Sequence, residues 1–373
     1  MKQLKLNLFV FLLFPLSGIS QSLVSTSVLP RNAVLEMFNG INCAYCPDGD
    51  QRADQLVSAF PGRVAVIIIH TGALADTLIP GQPDYRTPFG AAIDSMAGGN
   101  SYPSGTMNRV VWPGTYSQPP YFPQNPPDNL VIRRLGWWDA AYPTTGTGAA
   151  IILTGGNTPV NIGAESLWDD VTRELSVTVE LYYTSSDTID NKLNVTLLEN
   201  NIIGTQSTTA GYDSAYVHNH MLRHFLTGQW GDTVSTTQQG TLVSRTYTYT
   251  VPLNINIDNC NITVFVTQNN NKHTHTSQTV AAKNGTTVSI NEITENTSPW
   301  LFPNPANDQI TAGGWKEKNT VVTITTVTGQ VVYHSKAEAD YLTIPVSHFT
   351  AGLYFIHFSG DQQNTMKKFI VQE

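Results

Sequence analysis

The chain has 373 residues, enough for two to three domains and several hydrophobic cores. Charged residues are only 13%, so the polar surface rests on uncharged side chains. A formal charge of -8 supplies no basic footprint, which disfavours nucleic acid as a partner.

Lys2 and Lys5 precede the apolar run Leu6 to Leu16, and Gly18-Ile19-Ser20 offers small residues to a signal peptidase. Residues 1–20 therefore read as a signal peptide, with the mature chain starting at Gln21. The run is too short to cross a bilayer and no later stretch approaches 18 apolar residues, so no transmembrane span is expected. No Cys follows the run before Cys43, so no lipid anchor is indicated. Export places the chain where paired cysteines persist as disulfides. Thr occurs 9 times in the first 150 residues and 36 times in the remaining 223, a shift toward strand-forming composition.

Residues 31–146 read as an α/β, thioredoxin-like domain. Val34 to Phe38 is a short apolar run and Val64 to Ile69 a continuous one, both suited to buried central strands. Between them Ala53, Leu56, Val57 and Phe60 recur at helical spacing, with Pro47, Asp48 and Asp50 in the first turn and Pro61 at the stop. Phe89, Ala92, Ile93 and Met96 repeat that spacing. After the Pro-rich loop from Pro113 to Pro127, Val131, Leu135 and Trp138 mark a third helical stripe.

Cys43-Ala44-Tyr45-Cys46 falls where the first strand hands over to the first helix. Unpaired N–H groups and the dipole of a helix N-terminus favour a thiolate, so Cys43 would attack and Cys46 would resolve the mixed disulfide. In a thioredoxin-like fold a cis proline faces the dithiol; an X-Pro bond has only a small trans preference, so a cis bond at Tyr102-Pro103 ahead of a strand from Ser104 to Val111 is expected. The catalytic candidates are thus Cys43, Cys46 and Pro103. A structural disulfide, a zinc half-site and two unpaired thiols remain alternatives, the zinc reading lacking a second CxxC. Cys260 reads as a buried small hydrophobe.

A thioredoxin-type dithiol has a buried carboxylate six positions before its first Cys, and here that position is Met37. Glu36 is adjacent, but one step along a strand points to the opposite face. Asn42 replaces the usual aromatic before the first Cys, and Ala44-Tyr45 stand between the cysteines. These departures weigh against enzyme activity without touching the fold.

Residues 147–293 read as a β-sandwich. Leu175 to Tyr183 alternates almost strictly, with Leu175, Val177, Val179 and Leu181 on one face. Leu193 to Leu198, Thr246 to Val251 and Ile262 to Val266 are similar runs between turn residues. His218, His220 and His224, and the alternating pair His273 and His275, raise metal binding. No Cys or carboxylate at ligand spacing completes a site, so hydrogen-bonded structural roles are expected and no metal is assigned.

Residues 299–373 form short alternating strands, Val321 to Thr325, Gln330 to Tyr333 and Gly352 to Phe358, and read as a small C-terminal β-sandwich. No Walker loop, GxSxG elbow, HExxH or GxGxxG occurs, so no cofactor is expected and phosphotransfer, serine hydrolysis and zincin chemistry lack support. Short Asp-Thr/Ser-apolar triplets such as Asp76-Thr77-Leu78 resemble a bacterial O-glycosylation sequon.

Val34 to Gly40 with Cys43 to Gly49, then Tyr102 to Gly105 with Asn108-Arg109, then Tyr216 to Arg223 with Gly228 to Gly231, resemble the outer membrane protein 28-related family. The resemblance covers roughly residues 31–290 and implies a thioredoxin-like domain followed by an all-β domain in an exported protein of a Gram-negative bacterium. It makes the His218 to Gly231 segment a fold hallmark and implies that Arg223 satisfies buried carbonyls. It implies no particular reaction. Phe302 to Ala306, Gly329 to Val332, Gly352 to Phe355 and Lys367 to Val371 resemble the type A C-terminal sorting domain of type IX secretion. That resemblance implies the type IX machinery as partner through residues 299–373, removal of the domain, and release or attachment at the cell surface. Two functions stay open: a secreted or cell-surface thiol-disulfide oxidoreductase acting on disulfide-bearing proteins, or a non-catalytic binding or adhesion protein whose Cys43-Cys46 disulfide is structural.

Overall fold

The structure, a computed structural model, describes residues 22–99, 101–111, 130–137, 148–270, 273–287, 299–315, 320–327, 329–337, 339, 341–360 and 364–372. The segment 1–20 read as a signal peptide, the start at Gln21, the Pro-rich loop 113–127, Trp138 and the junctions at 146–147 and 293 lie outside them.

The first elements are β1 (Ala33–Asn39), α1 (Cys46–Ala59), β2 (Val64–His70), α2 (Gly90–Ala97), β3 (Ser104–Met107), β4 (Val131–Arg133) and α3 (Gly148–Thr154). β1 pairs parallel with β2 and antiparallel with β3, which in turn pairs with β4. Every residue of β1 and β2 is buried, the polar Glu36, Asn39 and His70 included, because both sheet faces are covered. Strand alternation divides β1. Leu35 and Met37 join the core with α1 and α3, while Val34 and Phe38 join the core with α2.

Two expectations change here. Val131 and Leu135 do not share a helix: Val131 and Ile132 are buried on a strand along β3, and Arg134–Gly136 is a 3-10 turn. A β-branched pair beside an open strand edge is better placed in the sheet. The strand expected from Ser104 to Val111 stops at Met107, because Asn108 and Arg109 adopt φ of 52° and 48°.

There follow β5 (Val160–Asp169), β6 (Glu174–Tyr183), β7 (Asn191–Glu199), β8 (Ile202–Thr208), β9 (Gly211–His218), β10 (Met221–Phe225), β11 (Asp232–Val234), β12 (Leu242–Thr250), β13 (Cys260–Gln268) and β14 (Thr274–Ala281). The sheet β12-β6-β5 presents Leu175, Val177, Val179 and Leu181 to a core shared with Val195 of β7 and Ile262 and Val264 of β13. The opposing sheet does not end there. Its order is β14-β13-β7-β10-β2-β1-β3-β4, with β11 attached to β7, so one sheet runs through both the α/β and the all-β parts. The joint is parallel pairing of Met221 with Ile68, closed by the Ile68 N–H donating to the His220 carbonyl at 2.8 Å. β8 and β9 leave this sheet as a separate two-stranded hairpin.

The C-terminal part contains β15 (Trp300–Phe302), β16 (Gln309–Gly313), β17 (Val321–Thr326), β18 (Val331–Lys336), β19 (Tyr341–Pro345), β20 (Gly352–Ser359) and β21 (Asn364–Val371). Sheets β15-β16-β19 and β18-β17-β20-β21 enclose Ile324, Ile356, Phe358 and Phe369. Phe302 turns away from that core and is buried in the core containing Leu56 of α1, with Trp300, Val57 and Phe60 packed around it. Among the described residues no helix is long and apolar enough to cross a membrane.

Candidate functional site

β1 ends at Asn39, whose side-chain oxygen accepts the Gly40 N–H at 2.6 Å and turns the chain into the loop before α1. Gly40 is obligatory there: a Cβ would lie 2.5 Å from the Leu74 carbonyl carbon and oxygen. Within the loop the Cys43 N–H donates to the Gly40 carbonyl at 3.0 Å and the Cys46 N–H to the Cys43 carbonyl at 3.2 Å. Cys43 and Cys46 form a disulfide with Cα atoms 5.4 Å apart, and Cys46 is the first residue of α1.

The Tyr102-Pro103 bond is cis, and Pro103 reaches the first turn of α1. At Gly49 a Cβ would meet the Met37 Cε at 2.8 Å and the Pro103 Cβ at 2.9 Å. Cys46, Met37 and Pro103 thus surround one turn of helix. Glu36 is on the other face of β1, buried, where its carboxylate accepts two 2.6 Å bonds from Arg109 Nε and Nη2 and one of 3.1 Å from Thr106 Oγ1. It serves the joint with the all-β part. The Arg109 guanidinium lies 5.4 Å from the Phe265 ring centroid, and the Asn108 and Arg109 carbonyls accept the N–H groups of Thr274 and His273.

The dithiol loop is covered. Cys43 is 2% exposed and Cys46 0%, while Tyr45 between them stands 59% exposed beneath Arg134. The cover is the β8–β9 hairpin. Gln206 Nε2 donates to the Gly40 and Cys43 carbonyls at 3.2 and 3.0 Å, and the Ser207 N–H donates to the Ile41 carbonyl at 2.7 Å. Tyr212 donates to the Asn42 side chain at 2.9 Å. Tyr216 donates to Asp50 Oδ2 at 2.6 Å, and Asn39 Nδ2 donates to Asp50 Oδ1 at 2.8 Å. Burial pushes the Asp50 carboxyl up to about 7, opposed by the Tyr216 and Asn39 hydrogen bonds and aided by the nearby Asp54. An open cleft of about 320 Å³ borders Asp50, Asp54 and Tyr216.

Of the histidines grouped by spacing, His218, His220 and His224 turn to separate partners, while the His273 and His275 rings stay in edge-on contact at 5.6 Å. His218 ends β9 and packs edge-on against Tyr216, Tyr85 and His70; His220 turns at φ 54° and faces Asp54 at 3.3 Å; His224 stacks on Tyr249 at 4.0 Å. His273 precedes β14, also at positive φ, and His275 faces Asp187 at 2.9 Å. The positive φ of His220 defeats the one-face alternation assumed for His218, His220 and His224 on one strand. Burial drives His70 down to about 3 and His218 to about 4, so both are neutral at pH 7. Arg223 pairs with a carboxylate rather than carbonyls, its Nε 3.3 Å from Glu199 Oε2. Cys260 is buried, with burial pushing its thiol up to about 12. The sequence marks Asp50 only as an acidic first-turn residue, Tyr216 only as the start of a family motif and Gln206 not at all, because the roles of Gln206 and Tyr216 depend on where the hairpin folds.

No curated protein matches the chain. Among solved structures, HBP35 of Porphyromonas gingivalis is similar at 16% identity and a TM-score of 0.48, covering 92% of this chain and 99% of its own. A domain of the outer membrane lipoprotein Omp28 from the same organism is similar at 23% identity and a TM-score of 0.25, over 34% of this chain and 89% of its own. The description "Secretion system C-terminal sorting domain" matches residues 300–372, which implies interaction with the type IX secretion machinery. The description "Outer membrane protein Omp28" matches residues 91–288, more than half of the chain. Both matches mark a secreted or cell-surface protein of a Gram-negative bacterium. The chain belongs to the Omp28 outer membrane protein family.

Proposed function

We propose that this surface protein is a thioredoxin-like thiol-disulfide oxidoreductase for disulfide-bearing proteins, in which Cys43 attacks, Cys46 resolves and Pro103 shapes the groove. The observation that carries the reading is the Cys43–Cys46 disulfide at the N-terminus of α1, between parallel β1 and β2 and against Pro103. Free N–H groups and the helix dipole at that position stabilise a thiolate. Residues 31–146 would supply the thioredoxin-like domain, 147–293 the β-sandwich and 299–373 the export signal. Because Cys43 is covered, exchange requires the β8–β9 hairpin to lift.

A second reading has its own support. Burial of both sulfurs and Met37 in place of an acid favour a structural disulfide in a binding or adhesion protein. A thiol-disulfide redox titration of the exported chain beside Cys43→Ser and Cys46→Ser, with insulin reduction as readout, separates the two. Reversible two-electron behaviour with turnover abolished in Cys43→Ser supports the enzyme. A strongly reducing potential without turnover leaves the disulfide as a staple.

A further inference from the structure

We propose that Asp50 is the proton acceptor for the resolving thiol of Cys46, filling the role for which β1 offers only Met37. This rests on the oxidoreductase reading above. Cys46 and Asp50 are four residues apart on α1, which stacks them on one stripe with Cβ atoms about 5–6 Å apart, within reach of one bridging water. The carboxyl is held from two sides, Asn39 Nδ2 at the end of β1 gripping Oδ1 and Tyr216 of β9 gripping Oδ2. It opens onto the cleft beside the helix. Glu36 cannot substitute, being on the opposite face of β1 and engaged by Arg109.

The chemistry requires such a group. Cys43 thiolate attacks a protein disulfide, forming a Cys43–substrate bond and releasing one substrate thiolate. Cys46 must then lose its proton before its sulfur can attack the Cys43 Sγ. That second attack forms the Cys43–Cys46 bond and expels the other substrate thiolate, which takes up a proton. The dithiol is oxidised by two electrons and the substrate disulfide reduced by two. A carboxyl whose affinity for protons lies near neutrality can accept the Cys46 proton and return it to the leaving thiolate. The other titratable groups facing it are Asp54 on α1, which raises its proton affinity, Tyr216 on β9, and beyond them His220 and His218.

The test follows the reduced full-length protein reacting with an aromatic disulfide, 5,5′-dithiobis(2-nitrobenzoate). Fast release of one thiolate reports attack by Cys43 and slower release of the second reports resolution by Cys46. Asp50→Asn is expected to slow the second phase at least tenfold at pH 7, with recovery as pH rises and Cys46 ionises unaided. Asp54→Asn, which removes the charge that raises the Asp50 proton affinity, is expected to move the second-phase profile to lower pH without abolishing that phase, and melting curves confirm that each variant folds. An unchanged second-phase pH profile in Asp50→Asn overturns the assignment while leaving the oxidoreductase reading intact. Absence of the first phase in the native chain overturns that reading instead. The Asp50 carboxyl is then judged by its own infrared titration in the disulfide and dithiol forms: a titration displaced by reduction supports the coupling, and identical titrations overturn it.

Discussion

Glu36 and Arg109 meet in the interior with two short bonds and hardly any exposed surface, so each depends on the other for its desolvated charge. Removing one partner of such a pair costs about 3–5 kcal/mol, whereas replacing both by apolar groups of similar size costs far less. Arg109→Met should therefore lower the urea unfolding free energy by about that amount, and Glu36→Leu with Arg109→Met should recover most of it. Equal losses in single and double variants would refute the pairing. His70 and His218 carry a different liability. Their protonation in the fold is depressed to about 3 and 4 against an ordinary 6.5, so below pH 6.5 the unfolded chain binds protons that the native chain refuses. Stability is fully present above pH 6.5 and drains as pH falls toward 4. Asp50, raised to about 7, acts with opposite sign: its contribution is present below its ordinary value of 3.8 and is lost as pH rises through 7. His70→Phe should flatten the acid side of the stability curve, and Asp50→Asn should steepen it, both measurable by denaturation between pH 4 and 7. Strand alternation in the sequence already put Glu36 off the dithiol face. Its partner was not legible, because Arg109 reaches it only through a left-handed turn that no periodicity announces.

The strands of the sandwich were readable because burial on one face writes itself as alternation, as in β6. Val131-Leu135-Trp138 shows the limit: three apolar residues fit a helical stripe, yet pairing with β3 decides the first of them. The β8–β9 hairpin was illegible as a cover, since its residues are largely polar or exposed and its partners are some 160 residues away. As an element it packs over the loop that carries the disulfide, and gating of the site is the behaviour expected of it. Gln206→Ala removes its bonds to the Gly40 and Cys43 carbonyls, and replacing residues 203–217 by a short turn removes the cover itself. Alkylation of Cys43 after reduction should accelerate several-fold in the first and more in the second, as read by mass spectrometry; equal rates in all three proteins would show that the hairpin does not gate the site. On the other side of the loop, Gly40→Ala forces a Cβ into the Leu74 carbonyl. Such overpacking typically costs about 1–3 kcal/mol, which a lowered melting temperature would register.

Over the whole molecule the nine-stranded sheet binds the α/β and all-β parts together, because β10 supplies the strand that covers the β2 edge. A protein ending at residue 146 should then expose that edge and fail to fold alone, while one ending at residue 287 should give a native circular dichroism spectrum. The family motifs, read in order along the sequence, pointed to this pairing of units without showing that they share a sheet. At the far end, Phe302 is 5% exposed within the α1 core and stacks on Trp300 at 4.9 Å, so the export unit plugs the flank of the helix that carries Cys46. Cutting the chain within residues 288–298 would pull the plug, leaving Val57 and Phe60 on bare surface. Full-length and trimmed forms would then differ in stickiness, the trimmed one alone capturing a hydrophobic dye.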